Sequence, residues 1–192
     1  SPMDVFSYHY YNGVSERGAA MGGHWPYEAV LSEQYLQIAG NCARQYIARR
    51  DRYVPGGQMW VTESGDAGCG GNTWGSTYAD VPRTLNELGE FSTVTDGVIF
   101  HNTLASSDYG FLKHGTFLPR PNYFAVLLWN RLMGKTVYAT GEAIREGAHV
   151  YAHSRKDGKE GLVYLVINNS WTETTTVELP KDENGHYIAE AQ

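Results

Sequence analysis

Apolar and polar positions along this chain switch between two periods, and the switches mark its elements. Residues 5–11, VFSYHYY, are rich in aromatic and β-branched side chains and end at Asn12-Gly13, which predicts a strand and a turn. From Tyr27 to Ile47 the apolar residues fall at 27, 30, 31, 35, 38, 42, 46 and 47, the spacing of one helical face. The run 58–63, QMWVTE, predicts a second strand. Val81, Leu85 and Leu88 share a face of a helix expected over 77–88, with Gly89 as its stop. A third strand is expected over 97–104, then a short hairpin in YGFLKHGTFLPRPNY. The helix NYFAVLLWNRLM follows, closed by Gly134.

Strand, loop and helix, three times in that order, predict parallel strands joined by right-handed crossovers. After Gly134 the period shortens to two. HVYAHSRKDGKEGLVYLVINN reads as two strands around a Lys156-Asp157-Gly158 turn, and TTTVELP as another, so an antiparallel β tail is expected. The fold class predicted is α/β followed by antiparallel β. A complete (β/α)₈ barrel takes roughly 250 residues, more than the 192 present. Three βα units and a β tail that breaks off at GHYIAEAQ therefore imply a piece of a larger protein.

Composition narrows the chemistry only a little. With 42% hydrophobic and 19% charged residues the sequence is that of a globular chain. A net charge of −6 argues against a nucleic-acid partner, which needs a basic face, but leaves room for an anionic sugar held by a few local donors. No apolar run is long enough for a transmembrane segment, and SPMDVFSYHYYNG lacks the basic start and apolar core of a signal peptide. Two cysteines cannot build a disulfide framework. Cys42 sits on an apolar helical face and is expected in the core, whereas Cys69 is a thiol in a glycine-rich loop. Aromatic residues reach 13%. Flat rings fill cores and also cover the apolar faces of sugars, so composition leaves both uses open.

Reacting groups in parallel α/β barrels lie at the carboxyl ends of strands, on the loops that follow. That rule selects His9-Tyr10-Tyr11, Glu63 with its loop GDAGCGGNTWG, and His101-Asn102 through Asp108-Tyr109, all expected to face one pocket. An ionised carboxylate at such a position, with hydroxyl donors beside it, suits a glycosidase nucleophile. Glycines after it would let loop backbone approach a sugar. On pattern alone Glu63 could equally begin a solvated loop. No zinc spacing, phosphate loop or G-x-S-x-G occurs, so no metal or cofactor is expected. His149 and His153 are expected to be exposed cross-strand residues. The sequon Asn168-Asn169-Ser170 is read as coincidence.

The segments WVTESGDAGCGGNTWGSTY, HNTLASSDYGFL and LPRPNYFAVLLWNRLMGKTV resemble the heparanase-like enzymes, glycoside hydrolase family 79, and SYHYYNG resembles their sixth-strand segment. The likeness covers about residues 5–140. It implies strands six to eight of a (β/α)₈ TIM barrel over 1–135 and an incomplete β-sandwich domain over 136–192. It also implies a retaining glycosidase in which Glu63 is the nucleophile and the substrate carries a β-linked glucuronic acid. His9 and Tyr11 would then contact or orient Glu63, with Tyr10 among the residues that bind substrate or surround the site. Asn102 falls where the family usually has Gln. Gly68, Cys69 and Gly70 match a loop that contacts the sugar acid, and Tyr109 lies where a tyrosine and its backbone help hold the substrate's carboxylate, with Asp108 beside it. Gly68 stands where Tyr is common, His101 where Arg is common, and Ser107 where Gly is usual.

Retention needs a second carboxyl about 5–5.5 Å from the first. In the family this acid follows Asn on strand four. Here the only Asn-Glu pair, Asn86-Glu87, falls inside a helix and is expected at its surface. Asp66 and Asp108 are expected to shape loops or bind hydroxyls. The acid therefore lies outside this chain, and the implied partner is the remainder of the same protein's barrel. A secreted, extracellular or lysosome-like location is implied by the resemblance. The competing reading is a non-catalytic carbohydrate-binding or scaffold protein of the same fold.

Overall fold

The structure is a computed structural model that describes residues 3–140 and 146–178. Strands β1 (Val5–Tyr11), β2 (Gln58–Gly65) and β3 (Ile99–His101) pair in parallel in the order β1-β2-β3. One face of this sheet is covered by α2 (Ile38–Tyr53) and α3 (Asp80–Val94). The pleat sends alternate side chains to that face. Tyr8 and Tyr10 of β1 and Met59 and Val61 of β2 pack there against Ala39, Ala43 and Phe91. Tyr10 meets Phe91 edge to face with ring centroids 5.1 Å apart, and Tyr8 stacks on Tyr46 at 4.4 Å. Each large side chain buried in this way contributes about 1.5–3 kcal/mol.

The single helix expected over 27–47 is broken into three. A 3₁₀ turn (Tyr27–Ala29) precedes the short α1 (Glu33–Leu36), and α2 follows. Ser32 starts α1 by accepting the Tyr35 N–H on its hydroxyl at 3.3 Å. The apolar spacing runs through the break because Val30, Leu31, Tyr35 and Leu36 fill a small core of their own with Ala79.

Helix α3 runs past its expected stop, with Gly89 well inside it. The Tyr151 ring lies so close that a methyl at residue 89 would overlap it. Gly89→Ala should therefore lower stability by about 1–3 kcal/mol through overpacking, although Ala is the better helix former. The urea midpoint of the chain reports this, and an unchanged midpoint would mean that the ring swings aside.

Strand β3 has three residues where eight were expected, and the hairpin after it shrinks to one bridge, Leu112 with Pro119. Helix α4 (Pro121–Leu132) opens on a proline, whose missing N–H costs nothing at that position. The chain then enters β4 (Met133–Tyr138) directly, so Gly134 lies in a strand and does not cap the helix. Strands β4, β5 (Ala148–Arg155) and β6 (Leu162–Asn168) form an antiparallel sheet, with the expected turn between β5 and β6. Residues 174–178 are not a strand, and the rest of TTTVELP and GHYIAEAQ lie outside the described residues.

Helix α3 lies between the two sheets, which overturns two expectations of exposure. Its one side faces β1 and β2, while Leu85 packs with Tyr151 and Ile167 of the second sheet. With no broad solvent face left, Asn86 and Glu87 are buried. His149 and His153 are buried as well, because their face of β5 turns toward the helices. His153 bonds the Gly134 carbonyl and the Ser92 hydroxyl and packs edge-on to Trp129. Cys42 is partly buried against the main core, as expected. Among the described residues no helix is long and apolar enough to cross a membrane.

Candidate active site

A one-residue irregularity in the sheet puts Glu63 where it is. Tyr8 aligns with Val61, but His9 aligns with Glu63, so Thr62 is the extra residue of a bulge. Its hydroxyl donates to the Tyr8 carbonyl at 3.3 Å. Strict alternation from Met59 and Val61 would send Glu63 to the helix side of the sheet. The bulge reverses the alternation, since a slip of one residue exchanges the faces. Ser64 takes the helix side instead, hydrogen-bonding Glu87, and Glu63 emerges beside His9 and Tyr11.

The groups around Glu63 form a directed chain. The Tyr11 hydroxyl donates to Glu63 Oε2 at 2.8 Å. Having given its one proton away, that hydroxyl accepts from Asn102 Nδ2, also at 2.8 Å. Asn102 reaches the Tyr109 hydroxyl at 3.5 Å, and the rings of Tyr11 and Tyr109 lie 6.1 Å apart. His9 Nδ1 stands 3.4 Å from the same Glu63 oxygen. Burial, and the bond it donates to Glu63, push the Tyr11 phenol well above its ordinary range, so it stays a donor. Gly65 leaves room for it, because a Cβ there would come within 3.1 Å of the Tyr11 ring. The Glu63 side chain is nevertheless 39% exposed and so reachable from solvent.

Tyr10, grouped with the pocket from its sequence position, points the other way into the core against Phe91, because it alternates with His9 and Tyr11. Glu63, His9, Tyr11, Asn102 and Tyr109 come together. Asp108 sits at the rim, paired with Arg17, whose guanidinium also donates to the Gly71 carbonyl. Gly68 is stapled to the segment after β1, its N–H donating to Gly13 and its carbonyl accepting from Ser15. Cys69 is exposed with a left-handed φ of 63°, and the Gly70 carbonyl accepts the Asp108 N–H. Ser107, where the family usually has glycine, also adopts a left-handed φ, of 61°. His101 holds the Tyr109 carbonyl through Nε2 at 2.6 Å and stacks on Phe111, and burial keeps it below the ordinary imidazole range.

Asp66, expected to shape a loop or bind hydroxyls, is buried at the root of the glycine loop and accepts both the Asn72 N–H and its side-chain amide. Sequence reading passed over Asp80 and Arg83, which stand behind it. Burial, with Asp80 close by, pushes Asp66 up to about 7. Arg83, 1% exposed, binds Asp80, Glu87 and Asn12 together. Burial opposes its charge, but Asp80 and Glu87 hold it protonated. Asp80, Arg83 and Glu87 stand at i, i+3 and i+7, a spacing that usually signals a solvated ion-pair face and here is enclosed. Among the described residues no group of His, Cys, Asp and Glu could hold a metal.

The fold and the site define a class first: an α/β protein with a solvent-reachable carboxylate, held by a phenol, at the carboxyl end of a parallel sheet. Comparison with known proteins then gives the family, although no protein-family model matches. Heparanase-like protein 1 of Arabidopsis thaliana is 32% identical over 193 residues, covering 100% of this chain and 34% of that protein. Baicalin-beta-D-glucuronidase of Scutellaria baicalensis is 31% identical over 127 residues, 66% of this chain and 24% of that one. A 4-O-alpha-L-rhamnosyl-beta-D-glucuronidase from Fusarium oxysporum 12S shares the fold, with a TM-score of 0.55 at 15% identity over 88% of this chain and 35% of its own. The chain belongs to the heparanase-like family, and it spans about a third or less of the length of these curated relatives.

Proposed function

We propose that this chain is the nucleophile-bearing segment of a retaining glycoside hydrolase that cleaves β-linked glucuronic acid from a polysaccharide or glycoconjugate. In this reading residues 1–135 are strands six to eight of a (β/α)₈ barrel and 136–192 begin a β-sandwich. The observation that carries it is the aim of Glu63: one oxygen accepts from Tyr11 and faces His9, and the side chain remains open to solvent.

Glu63 attacks the anomeric carbon while the glycosidic oxygen leaves with a proton from an acid on another part of the barrel. The bond from sugar to leaving oxygen breaks as the ester to Glu63 forms. Water, deprotonated by the same acid/base, then displaces Glu63 and restores its charge. Within this chain the other carboxylates near the site are engaged or enclosed, Glu87 with buried Arg83, Asp108 with Arg17, and Asp66 buried on Asn72. The purified chain alone should therefore show no turnover. The names of its relatives support the glucuronide, and an extracellular or lysosome-like compartment goes with that substrate class.

The test uses the complete protein and an activated 2-fluoro glucuronide. A covalent adduct on the peptide carrying Glu63 supports the reading. Binding without any adduct overturns it in favour of a non-catalytic carbohydrate-binding protein. Tyr11→Phe removes the hydroxyl that aims Glu63 and leaves an Asn102 N–H without its acceptor. A hydrogen bond to a charged group contributes about 1.5–3 kcal/mol, so kcat should fall by about 10- to 100-fold with KM little changed.

A further inference from the structure

The second sheet is fastened to the helices behind the first by buried titratable groups that the proposed chemistry does not use. His149 Nε2 lies 2.7 Å from Glu33 Oε2, on α1. His149 Nδ1 lies 3.2 Å from the Tyr151 hydroxyl, which lies 2.9 Å from Glu90 Oε1 on α3. The same hydroxyl is 3.5 Å from Asn86 Oδ1. His149 and Glu90 are each 1% exposed and Tyr151 is 3% exposed. From α2, the charge of Arg44 also acts on Glu90.

A count of protons exposes a shortage. The contact to the Glu33 carboxylate needs a hydrogen on Nε2. Tyr151 has one hydrogen, and both Glu90 and Nδ1 require it if His149 is neutral and both carboxylates are ionised. One of the two contacts would then set lone pair against lone pair at a buried position, which is costly. Asn86 offers no relief, because its amide nitrogen is committed to Pro82 and Asn169 and only its acceptor faces Tyr151.

One additional proton satisfies every contact; besides a protonated Glu33 that donates to Nε2 while Nδ1–H donates to Tyr151 and Tyr151 to Glu90, two arrangements do so. On Nδ1, it makes an imidazolium that donates to Glu33 and to Tyr151, and Tyr151 donates to Glu90. On Glu90, it is donated to Tyr151, and Tyr151 donates to Nδ1. Burial raises Glu90 toward the second arrangement, whereas the Tyr151 bond, His149 and Arg44 favour its charged form.

We propose that Glu33, His149, Tyr151 and Glu90 form a proton-loaded clamp that ties the second sheet to α1 and α3 and loosens as pH rises. A site that binds its proton more tightly folded than unfolded stabilises the fold at low pH and loses that contribution as pH rises through the folded pKa. The clamp therefore holds at low pH and loosens as pH rises through the release of its shared proton. It stands whether or not Glu63 is a nucleophile.

The test compares urea midpoints of the chain at about pH 6 and about pH 9 for wild type and Glu90→Gln. In the variant an amide hydrogen replaces the shared proton. The wild-type midpoint should fall with pH, and the variant should lose at least about half of that fall. Equal pH dependence in the two proteins overturns the clamp. If Glu90→Gln does not fold, hydrogen exchange at the β5 amides of wild type decides. Opening that grows with pH beyond the intrinsic dependence of amide exchange supports the clamp. Exchange that follows only the intrinsic dependence overturns it.

Discussion

Glu63→Gln, made in the complete protein that carries this segment, is expected to lower kcat for glucuronide hydrolysis by at least about 10³-fold, or about 4 kcal/mol of transition-state stabilisation. The amide keeps the shape of the carboxylate and can still accept the Tyr11 hydroxyl, now 2.8 Å from Oε2. It cannot form the glycosyl ester, because the attacking oxygen has lost its charge. Stability should change little, since the side chain is 39% exposed and its partners are served by an amide oxygen. Turnover within about tenfold of wild type would remove Glu63 from the reaction. With Tyr11→Phe, the pair separates the nucleophile from the group that aims it.

The largest effect on stability is expected at Arg83. Arg83→Leu leaves Asp80 and Glu87 buried without their cation, and breaking a buried pair from one side costs about 3–5 kcal/mol. That is a large share of the roughly 5–15 kcal/mol that holds a domain together. Four connections are lost at once, because Arg83 also donates to the Thr84 hydroxyl and to Asn12 at the end of β1, and Asn12 in turn donates to the Tyr35 carbonyl. Urea denaturation measures the loss. Adding Asp80→Asn and Glu87→Gln to Arg83→Leu should recover part of it, since neutral amides cost less to bury than unpaired charges. A loss below about 1 kcal/mol would mean that the two acids protonate or reach water. Burial already pushes Glu87 above its ordinary range even with Arg83 bound to it, so protonation is the route by which the loss would be blunted.

Much of the first sheet was legible because its signals are local. VFSYHYY and QMWVTE are strands by composition, with glycines soon after each, and the second runs on to Gly65. The carboxylate at the end of β2 and the tyrosine at the end of β1 could be named as candidates from position alone. What failed were judgements of exposure and of where elements stop. Gly89 resembles a helix stop, yet it is the site where a ring from a distant strand touches the helix backbone. Asn86-Glu87, His149 and His153 read as surface residues, and all four are buried: Asn86 meets Asn169, Glu87 meets Arg83 and Ser64, His149 meets Glu33 and His153 meets Ser92. Tyr10 was misplaced for a nearer reason: a strand has two faces, and only one of them belongs to the site.

The order of strands and helices, the change to antiparallel β after α4, and the carboxylate at a strand end are all local features, readable along the chain. Those follow from periodicity and turn chemistry, which act over a few residues. That Glu63 faces His9 and Tyr11 is expected from strand-end position and from the family resemblance, but what turns it there lies in the pairing of the strands. That outcome depends on Thr62 being the extra residue between two paired strands, a property of the pairing that neither strand carries alone. The burial of Arg83 and the joining of His149 to Glu33 across 116 positions are of the same kind. Packing between layers brings such groups together, and the enclosure that follows turns ordinary surface charges into the supports of the site.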